Sequence, residues 1–199
     1  MSSPSSRTRR VLMTAMAGLS LGSGTQGSAA VAAEPSGSRT LVAYYSRSGN
    51  TRVVAGLIRR SLGADLCEIE PATAYPEDYL ATVEQARQER DQRVEPALKA
   101  TVARIASYTT IFLGFPIWGE TAPPLVRSFL SAHDLSGKTL VPFITHGGYG
   151  LGSSLQVLAS HAPNARLRPA FVMQDQQERQ TMDRVNGWLG DLPAPIEPT

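Results

Sequence analysis

A hydroxyl-rich loop follows the first apolar segment of the chain and offers groups that suit a phosphate. The loop consists of Ser46, Arg47, Ser48, Gly49, Asn50 and Thr51. Residues 41–45 before it form a short run of β formers, and apolar residues with helical spacing follow it. At the start of a helix, free N–H groups and the helix dipole both favour an anion. The loop therefore predicts a phosphate site, although an ordinary strand-to-helix turn would also use small polar residues.

The composition of this loop restricts the kind of phosphate ligand. No lysine precedes the hydroxyl residue Thr51, so the loop is not a nucleoside triphosphate loop. The loop also lacks the Gly-x-Gly-x-x-Gly spacing of a dinucleotide site, and Ser46 stands where a phosphatase would place a cysteine. A loop of hydroxyls without lysine suits a single terminal phosphate that neutral donors hold.

Two further unusual loops follow apolar segments later in the chain. The first contains Pro116, Ile117, Trp118 and Gly119. The second contains Thr145, His146, Gly147, Gly148, Tyr149 and Gly150. Trp118 is either a surface on which a flat ring system stacks or a half-buried packing residue. The glycines of this last loop, the third of the three, allow close approach of the backbone to a ligand.

Five apolar segments that alternate with helical patterns predict an α/β fold with a doubly wound parallel sheet and helices on both faces. The predicted strands are residues 41–45, 65–70, 109–115, 139–145 and 165–173. Tyr79, Val83 and Ala86 mark one face of a charged helix that extends to about Arg93. A further short helical piece is predicted to start at Pro96.

The three loops together resemble those of a known family. Residues 41–51 resemble the FMN phosphate loop of flavodoxins, and residues 116–119 resemble their ring-binding loop. Residues 142–148 are similar to a subgroup of bacterial flavodoxin-like proteins that carry Thr-Ser-Gly-Gly there, although His146 departs from that pattern. Residues 75–79 also resemble a segment that members of this subgroup often keep after the second strand. Here the segment would line the outer face of the flavin or form a helix-capping loop. The resemblance covers residues 41–189.

The resemblance implies a five-stranded sheet in the order 2-1-3-4-5, FMN as the cofactor, and a site beyond the carboxyl ends of the strands. It assigns all sixteen residues of the three loops named above to cofactor binding and implies no catalytic residue of the protein's own. N–H groups of the third loop would face the pyrimidine edge of the flavin and influence its potential. His146 would bring a positive charge near the ring at low pH or face solvent. Tyr149 would cover the ring edge or be an ordinary loop aromatic.

The first 33 residues have the pattern of a signal peptide rather than of a folded domain. A basic start is followed by a short, weakly apolar run and by Val31-Ala32-Ala33, a suitable cleavage site. Residues 8–13 resemble a twin-arginine export signal, and the alternative is a general secretory signal that contains two arginines. We expect a linker at 34–39, the flavodoxin-like domain at 40–190, a Pro-rich tail at 191–199, and export to the periplasm or the exterior.

Charge and composition exclude several classes of function. Without the leader's three arginines, sixteen basic residues stand against seventeen acidic ones, a net charge of −1. We therefore expect no nucleic-acid partner, and we also expect no membrane span in the mature chain. Cys67 is the only cysteine, which excludes an intramolecular disulfide. His133 and His161 stand at predicted helix ends as expected surface residues, and no metal site is predicted.

These features predict an exported FMN-binding protein that transfers electrons with a redox partner protein or a small-molecule acceptor. One alternative is an FMN-dependent NAD(P)H or quinone oxidoreductase of the same fold. Another alternative is a binding module that has kept the fold without the flavin.

Overall fold

The computed structural model describes residues 39–174 and 178–192, which form a parallel sheet flanked by helices. The strands are β1 Thr40–Tyr44, β2 Asp65–Glu68, β3 Thr110–Pro116, β4 Thr139–His146, β5 Arg166–Leu167 and β6 Phe171–Gln174. The helices are α1 Asn50–Leu62, α2 Tyr79–Asp91, α3 Pro124–Ala132, α4 Ser154–His161 and α5 Glu178–Asp191. The predicted signal peptide (1–33), linker residues 34–38 and tail residues 193–199 lie outside the described residues. Within the described part of the chain, no helix has the length and apolar character needed to cross a membrane.

The order of the strands agrees with the sequence prediction. All pairings are parallel, and the sheet runs β2-β1-β3-β4-β5, with β6 also paired to β4. The predicted order 2-1-3-4-5 is therefore confirmed. β2 lies at the sheet edge, where Leu66 is 42% exposed, as its alternating pattern predicts.

The fifth predicted strand is divided into two pieces, β5 and β6. Arg168 still donates its N–H to the carbonyl of Leu140, but Pro169 has no N–H to continue the ladder. Pairing with β4 resumes only at Phe171. The single strand predicted over residues 165–173 is therefore wrong in its middle, because a proline interrupts it.

Alternate residues of the central strands face two separate apolar cores. On one face Leu41 and Ala43 pack with residues of α3 and α4, such as Phe129 and Leu158. On the other face Val42 and Tyr44 pack with residues of α1 and α5. The fully buried residues of these two helices in this core include Val54, Ala55, Ile58 and Val185. Burial on both faces explains why these strands read as continuous apolar runs.

The short helix predicted at Pro96 is not formed. This segment instead lies extended against the segment that follows β2, where Pro71 and Leu98 form an antiparallel bridge. Lys99 donates its N–H to the carbonyl of Glu70. A single turn of 3₁₀ helix occurs later, at Ile105–Ser107. Backbone pairing between two loops thus replaces the local helical preference.

Both histidines expected on the surface are drawn into the protein. His133 is 7% exposed; its Nδ1 lies 2.7 Å from the carbonyl oxygen of Phe129, and its Nε2 accepts the N–H of Val102 at 2.8 Å. His161 is half-buried at the end of α4. A position at a helix end did not predict exposure for either histidine, because neighbouring segments contact both side chains.

Candidate functional site

Three loops meet at the carboxyl ends of the neighbouring strands β1, β3 and β4. We name them loop 1 (residues 45–49), loop 2 (117–123) and loop 3 (147–153). Ile117 donates its N–H to the carbonyl of Thr145, and Ser153 donates its N–H to the carbonyl of Glu120 at 3.0 Å. The topology therefore brings together the segments that the sequence predicted to form one site.

Loop 1 presents backbone donors at the start of α1. Ser46 Oγ accepts the N–H groups of Gly49 at 3.1 Å and Arg52 at 3.3 Å. Gly49 precedes the helix with φ 97°, a left-handed conformation that favours glycine. Among residues 39–174 and 178–192, no group accepts the N–H of Asn50 or Thr51. Two first-turn donors are thus available to a ligand, which is the arrangement that a phosphate requires.

A buried hydroxyl pair links α1 to β4 beneath the loops. Thr51 Oγ1 and Thr145 Oγ1 are 2.9 Å apart, and the two residues are only 1% and 2% exposed. Both residues were predicted to contact the cofactor, which remains a prediction. The structure shows that their hydroxyls bind each other and fix loop 1 relative to the end of β4.

Trp118 is held by two tyrosines that contact it nearly at right angles. The ring of Tyr45 lies 5.2 Å from it at 83°, and that of Tyr75 lies 5.1 Å from it at 85°. Tyr75 donates its hydroxyl hydrogen to Glu89 at 2.7 Å, and burial raises the pKa of both tyrosines, so they remain neutral. Trp118 is half-buried, and its orientation is fixed by a rigid aromatic cluster.

Loops 2 and 3 approach so closely that glycine is required. Gly152 has φ 50°, and a side chain there would overlap the carbonyl of Glu120. Gly119 in loop 2 has φ 56°, which favours glycine, and a side chain there would have to displace the flexible guanidinium of Arg90 on α2. Glu120 itself has φ 63°, one of two positive values among the described non-glycine residues. Such strain is commonest at functional sites.

The imidazole of His146 organises loop 3. Its Nδ1 accepts the N–H of Gly148 at 3.0 Å and the N–H of Gly150 at 3.1 Å. Nδ1 is therefore unprotonated, and the ring is half-buried rather than turned to solvent. The sequence predicted that N–H groups of this loop face a flavin, but these two donate to His146. This loop-organising role differs from both predicted roles of His146. Tyr149 is 84% exposed at the tip of this loop.

A cleft of about 470 Å³ lies between loops 2 and 3 and helix α2. Its lining is Arg47, Tyr79, Thr82, Val83, Ala86, Arg87, Arg90, Ile117, Trp118, Gly119, Glu120, His146, Gly147 and Tyr149. Sequence analysis missed the contribution of α2. The sequence signal that could have revealed it was the apolar face of that helix. Two residues of this face, Tyr79 and Val83, line the cleft and are 65% and 46% exposed.

Segment 75–79 caps a helix, as one of its two predicted roles requires, while its role against the flavin stays a prediction. Tyr75 packs against Trp118 of the candidate site, while Asp78 caps α2 by accepting the N–H of Ala81 at 2.8 Å. Arg47 donates a hydrogen bond to the carbonyl of Glu77 and lies 5.6 Å from the ring centre of Tyr79. Loop 1 is thereby tied to the start of α2 at the mouth of the cleft.

The arrangement can hold a ligand that has both a flat ring and a terminal phosphate. The phosphate donors lie at Asn50 and Thr51, and an aromatic surface is available at Trp118. Among the described side chains, no group of three or more His, Cys, Asp or Glu residues could hold a metal ion. The cleft and the neighbouring start of α1 thus offer binding groups that fit FMN, with neutral donors for its phosphate at the start of α1.

Solved structures with the same architecture include two from Bacteroides. A candidate flavoprotein from Bacteroides eggerthii is 32% identical, with a TM-score of 0.67, over 76% of this chain and 95% of its own. A candidate flavoprotein from Bacteroides uniformis is 28% identical, with a TM-score of 0.69, over 78% and 99%. A flavoprotein from Lactobacillus acidophilus in complex with FMN shares the fold at 19% identity and a TM-score of 0.59, over 72% and 97%.

Comparison with curated protein sequences finds no match. The family model for flavodoxin matches residues 39–192, which include every strand and helix described above. A match over most of the chain, together with the shared architecture and loop arrangement, shows that the protein belongs to the flavodoxin family.

Proposed function

We propose that this protein is an exported FMN-binding protein that transfers electrons. The observation that supports it most strongly is the meeting of three loops at adjacent strand ends, with N–H groups at the start of α1 that no described residue accepts. Membership of the flavodoxin family supports FMN as the cofactor. Export rests on the leader sequence, in which residues 8–13 resemble a twin-arginine signal.

Each loop has a defined part in holding the cofactor. The N–H groups of Asn50 and Thr51, together with the exposed hydroxyl of Ser48, bind the phosphate. Trp118, fixed by its two tyrosines, offers an aromatic face to the ring, and loop 3 supplies the backbone at the cleft rim. FMN, when bound, accepts and releases electrons, and the protein sets its potential and access.

A flavin titration with two matched glycine variants tests FMN binding. Gly49→Ala forces a left-handed alanine into loop 1, whereas Gly63→Ala places one at the other end of α1; a side chain has free space at both positions. We expect both variants to lose about 1 kcal/mol of stability. Only Gly49→Ala should weaken FMN binding, by about tenfold, as measured by quenching of flavin fluorescence. Equal affinities would refute the assignment of loop 1.

The same titration separates a flavoprotein from a flavin-free binding module. Flavin absorption bands in the purified protein, or saturable binding of added FMN, support the proposal. Absence of binding at high micromolar FMN would refute both redox functions and leave the binding module.

A reductase that uses NAD(P)H is the second candidate, and the cleft supports it. The cleft of about 470 Å³ is within the usual size range of small-molecule sites, and Arg47, Arg87 and Arg90 line it. Oxidation of NADH or NADPH by the FMN-loaded protein, with a quinone as acceptor and no protein partner, would support the reductase. Absence of this reaction, with retained reduction by dithionite, supports an electron carrier.

Export is tested with the full chain and two sets of conservative leader variants. Arg9→Lys with Arg10→Lys changes the arginine pair, and Arg7→Lys is the matched control outside it. We expect the paired variant to remain in the cytoplasm and the control to be exported, as measured by cell fractionation. Unchanged export of the paired variant would favour the general secretory route.

A further inference from the structure

A second cleft, separate from the flavin site, lies where the ends of α2 and α4 approach α3. Its volume is about 450 Å³, and its lining residues are Arg93, Glu95, Arg127, Val157 and His161. It shares no lining residue with the cleft between loops 2 and 3. Three of its five lining residues are basic side chains that come from three different parts of the fold.

Arg127 on α3 has a half-buried side chain whose Nε is shielded from solvent. Its Nε is closed off from solvent and has no hydrogen-bond acceptor among residues 39–174 and 178–192. No carboxylate of that described part lies within 4.0 Å of its guanidinium. Burial, and then the charge of the nearby Arg90, lower the pKa of Arg127, while Glu95 opposes the change. Buried donors in proteins normally have an acceptor, and the Nε–H of Arg127 has none among the described residues.

Arg93 adds a second guanidinium to the cleft, on an exposed side chain. It follows α2 with φ 57°, a left-handed position that usually holds glycine, and Val94 closes this turn by donating to the carbonyl of Glu89. Its guanidinium forms no ion pair with any described residue. A long cationic side chain therefore occupies a backbone position where the local structure favours a residue without one.

The carboxylate of the cleft is already engaged. Glu95 Oε1 accepts a hydrogen bond from Ser131 Oγ at 3.0 Å and lies 3.5 Å from Nε2 of His161. One carboxylate thus stands against two guanidiniums and an imidazole, and the cleft has an excess of positive charge. Guanidinium groups bind carboxylates and phosphates through paired hydrogen bonds, which gives this excess a specific chemistry.

We infer that the cleft between Arg93, Arg127 and His161 binds a small molecule that carries an oxyanion group, either a phosphate ester or a carboxylate. The oxyanion accepts hydrogen bonds from the shielded Nε–H of Arg127 and from the guanidinium of Arg93, and the volume leaves room for the organic part of such a ligand. This inference does not depend on FMN binding, because the residues involved lie outside the loops of the flavin site.

Side-chain NMR can observe the two guanidiniums directly. The Nε–Hε resonances of Arg93 and Arg127 are followed during titration of the full chain with inorganic phosphate, with succinate, and with potassium chloride at matched ionic strength. We expect saturable shifts with at least one oxyanion and none with chloride. Backbone resonances of Asn50 and Thr51 report any phosphate at the flavin site separately, so failure of either proposal is recognised independently.

Three glutamine variants complete the experiment. Arg127→Gln and Arg93→Gln should each weaken oxyanion binding by about tenfold or more, the effect of losing a charge-assisted hydrogen bond. Arg59→Gln removes an equivalent charge from the exposed surface of α1 and should change binding less than about twofold. If Arg127→Gln does not fold, the exposed Arg93 still provides the test. The inference would be overturned if neither oxyanion causes a saturable shift or if chloride causes the same shifts. It would also be overturned if both cleft variants bind the oxyanion as wild type does.

Discussion

The buried hydroxyl pair between Thr51 and Thr145 makes a quantitative prediction about how loop 1 is attached to the sheet. Valine has the shape of threonine without its hydroxyl, so each single replacement leaves one buried hydroxyl unpaired. An unsatisfied buried group of this kind costs about 1–3 kcal/mol. Because the two residues are 1% and 2% exposed, water cannot compensate in the present structure. We expect Thr51→Val and Thr145→Val each to lower the free energy of unfolding by about 2 kcal/mol.

The double variant distinguishes this hydrogen bond from simple additive effects. With both hydroxyls replaced, two methyl groups face each other and no polar atom is left unpaired, so we expect a loss of about 1 kcal/mol rather than 4. The resulting interaction energy of about 3 kcal/mol is at the top of the range seen for contacting residues. Urea unfolding of the flavin-free protein, followed by tryptophan fluorescence, measures all four proteins.

Thr101→Val is the matched control, because Thr101 is exposed and its replacement should change stability by less than about 0.5 kcal/mol. Single-variant effects that add to within about 0.5 kcal/mol would refute the reasoning, since residues that do not interact behave in that way.

Three further predictions concern other parts of the fold. Trp118→Leu should weaken FMN binding by about tenfold in a fluorescence titration, and unchanged affinity would exclude stacking. Gly152→Ala should lower the free energy of unfolding by about 3 kcal/mol in urea, because its side chain overlaps loop 2, whereas Gly137→Ala, with similar φ but free space, should cost about 1. The hydroxyl and N–H of Ser136 hold the pKa of Asp134 below its ordinary value of 3.8. The stabilising contribution of this carboxylate is therefore present above about pH 4 and is lost as the pH falls through the lowered pKa. The stability difference between Asp134→Asn and wild type should thus be constant between about pH 7 and about pH 5 and should shrink only below about pH 4.

The sheet could be predicted from the sequence because strands that are buried on both faces appear as continuous apolar runs. Strands such as β3, with Ile111, Phe112 and Leu113 in succession, have no polar face, and only a central parallel strand accounts for that. The loops after β1, β3 and β4 were recognisable because glycine, hydroxyl and aromatic residues follow those strands. Their meeting then follows from the topology of the sheet rather than from any local signal.

Contacts between distant segments were not readable from local patterns. His133 has the sequence context of a surface residue, yet the loop that contains Val102 covers it and donates a hydrogen bond. Pro96 favours a helix start locally, but the pairing of Pro71 with Leu98 holds its segment extended. The position of α2 beside the cleft depends on the path of the segment between β2 and α2, and hydrophobic periodicity does not predict that path.

His146 has a consequence for the kinetics of ligand capture. Its imidazole accepts the N–H groups of Gly148 and Gly150, which closes loop 3 on itself. A ligand that uses either amide must first displace the ring, and binding then proceeds in two steps, with loop release before capture. The observed binding rate should therefore reach a plateau as ligand concentration rises, and the apparent affinity should fall with the fraction of molecules whose loop is open. His146 would thus influence the affinity of the site through the stability of the closed loop.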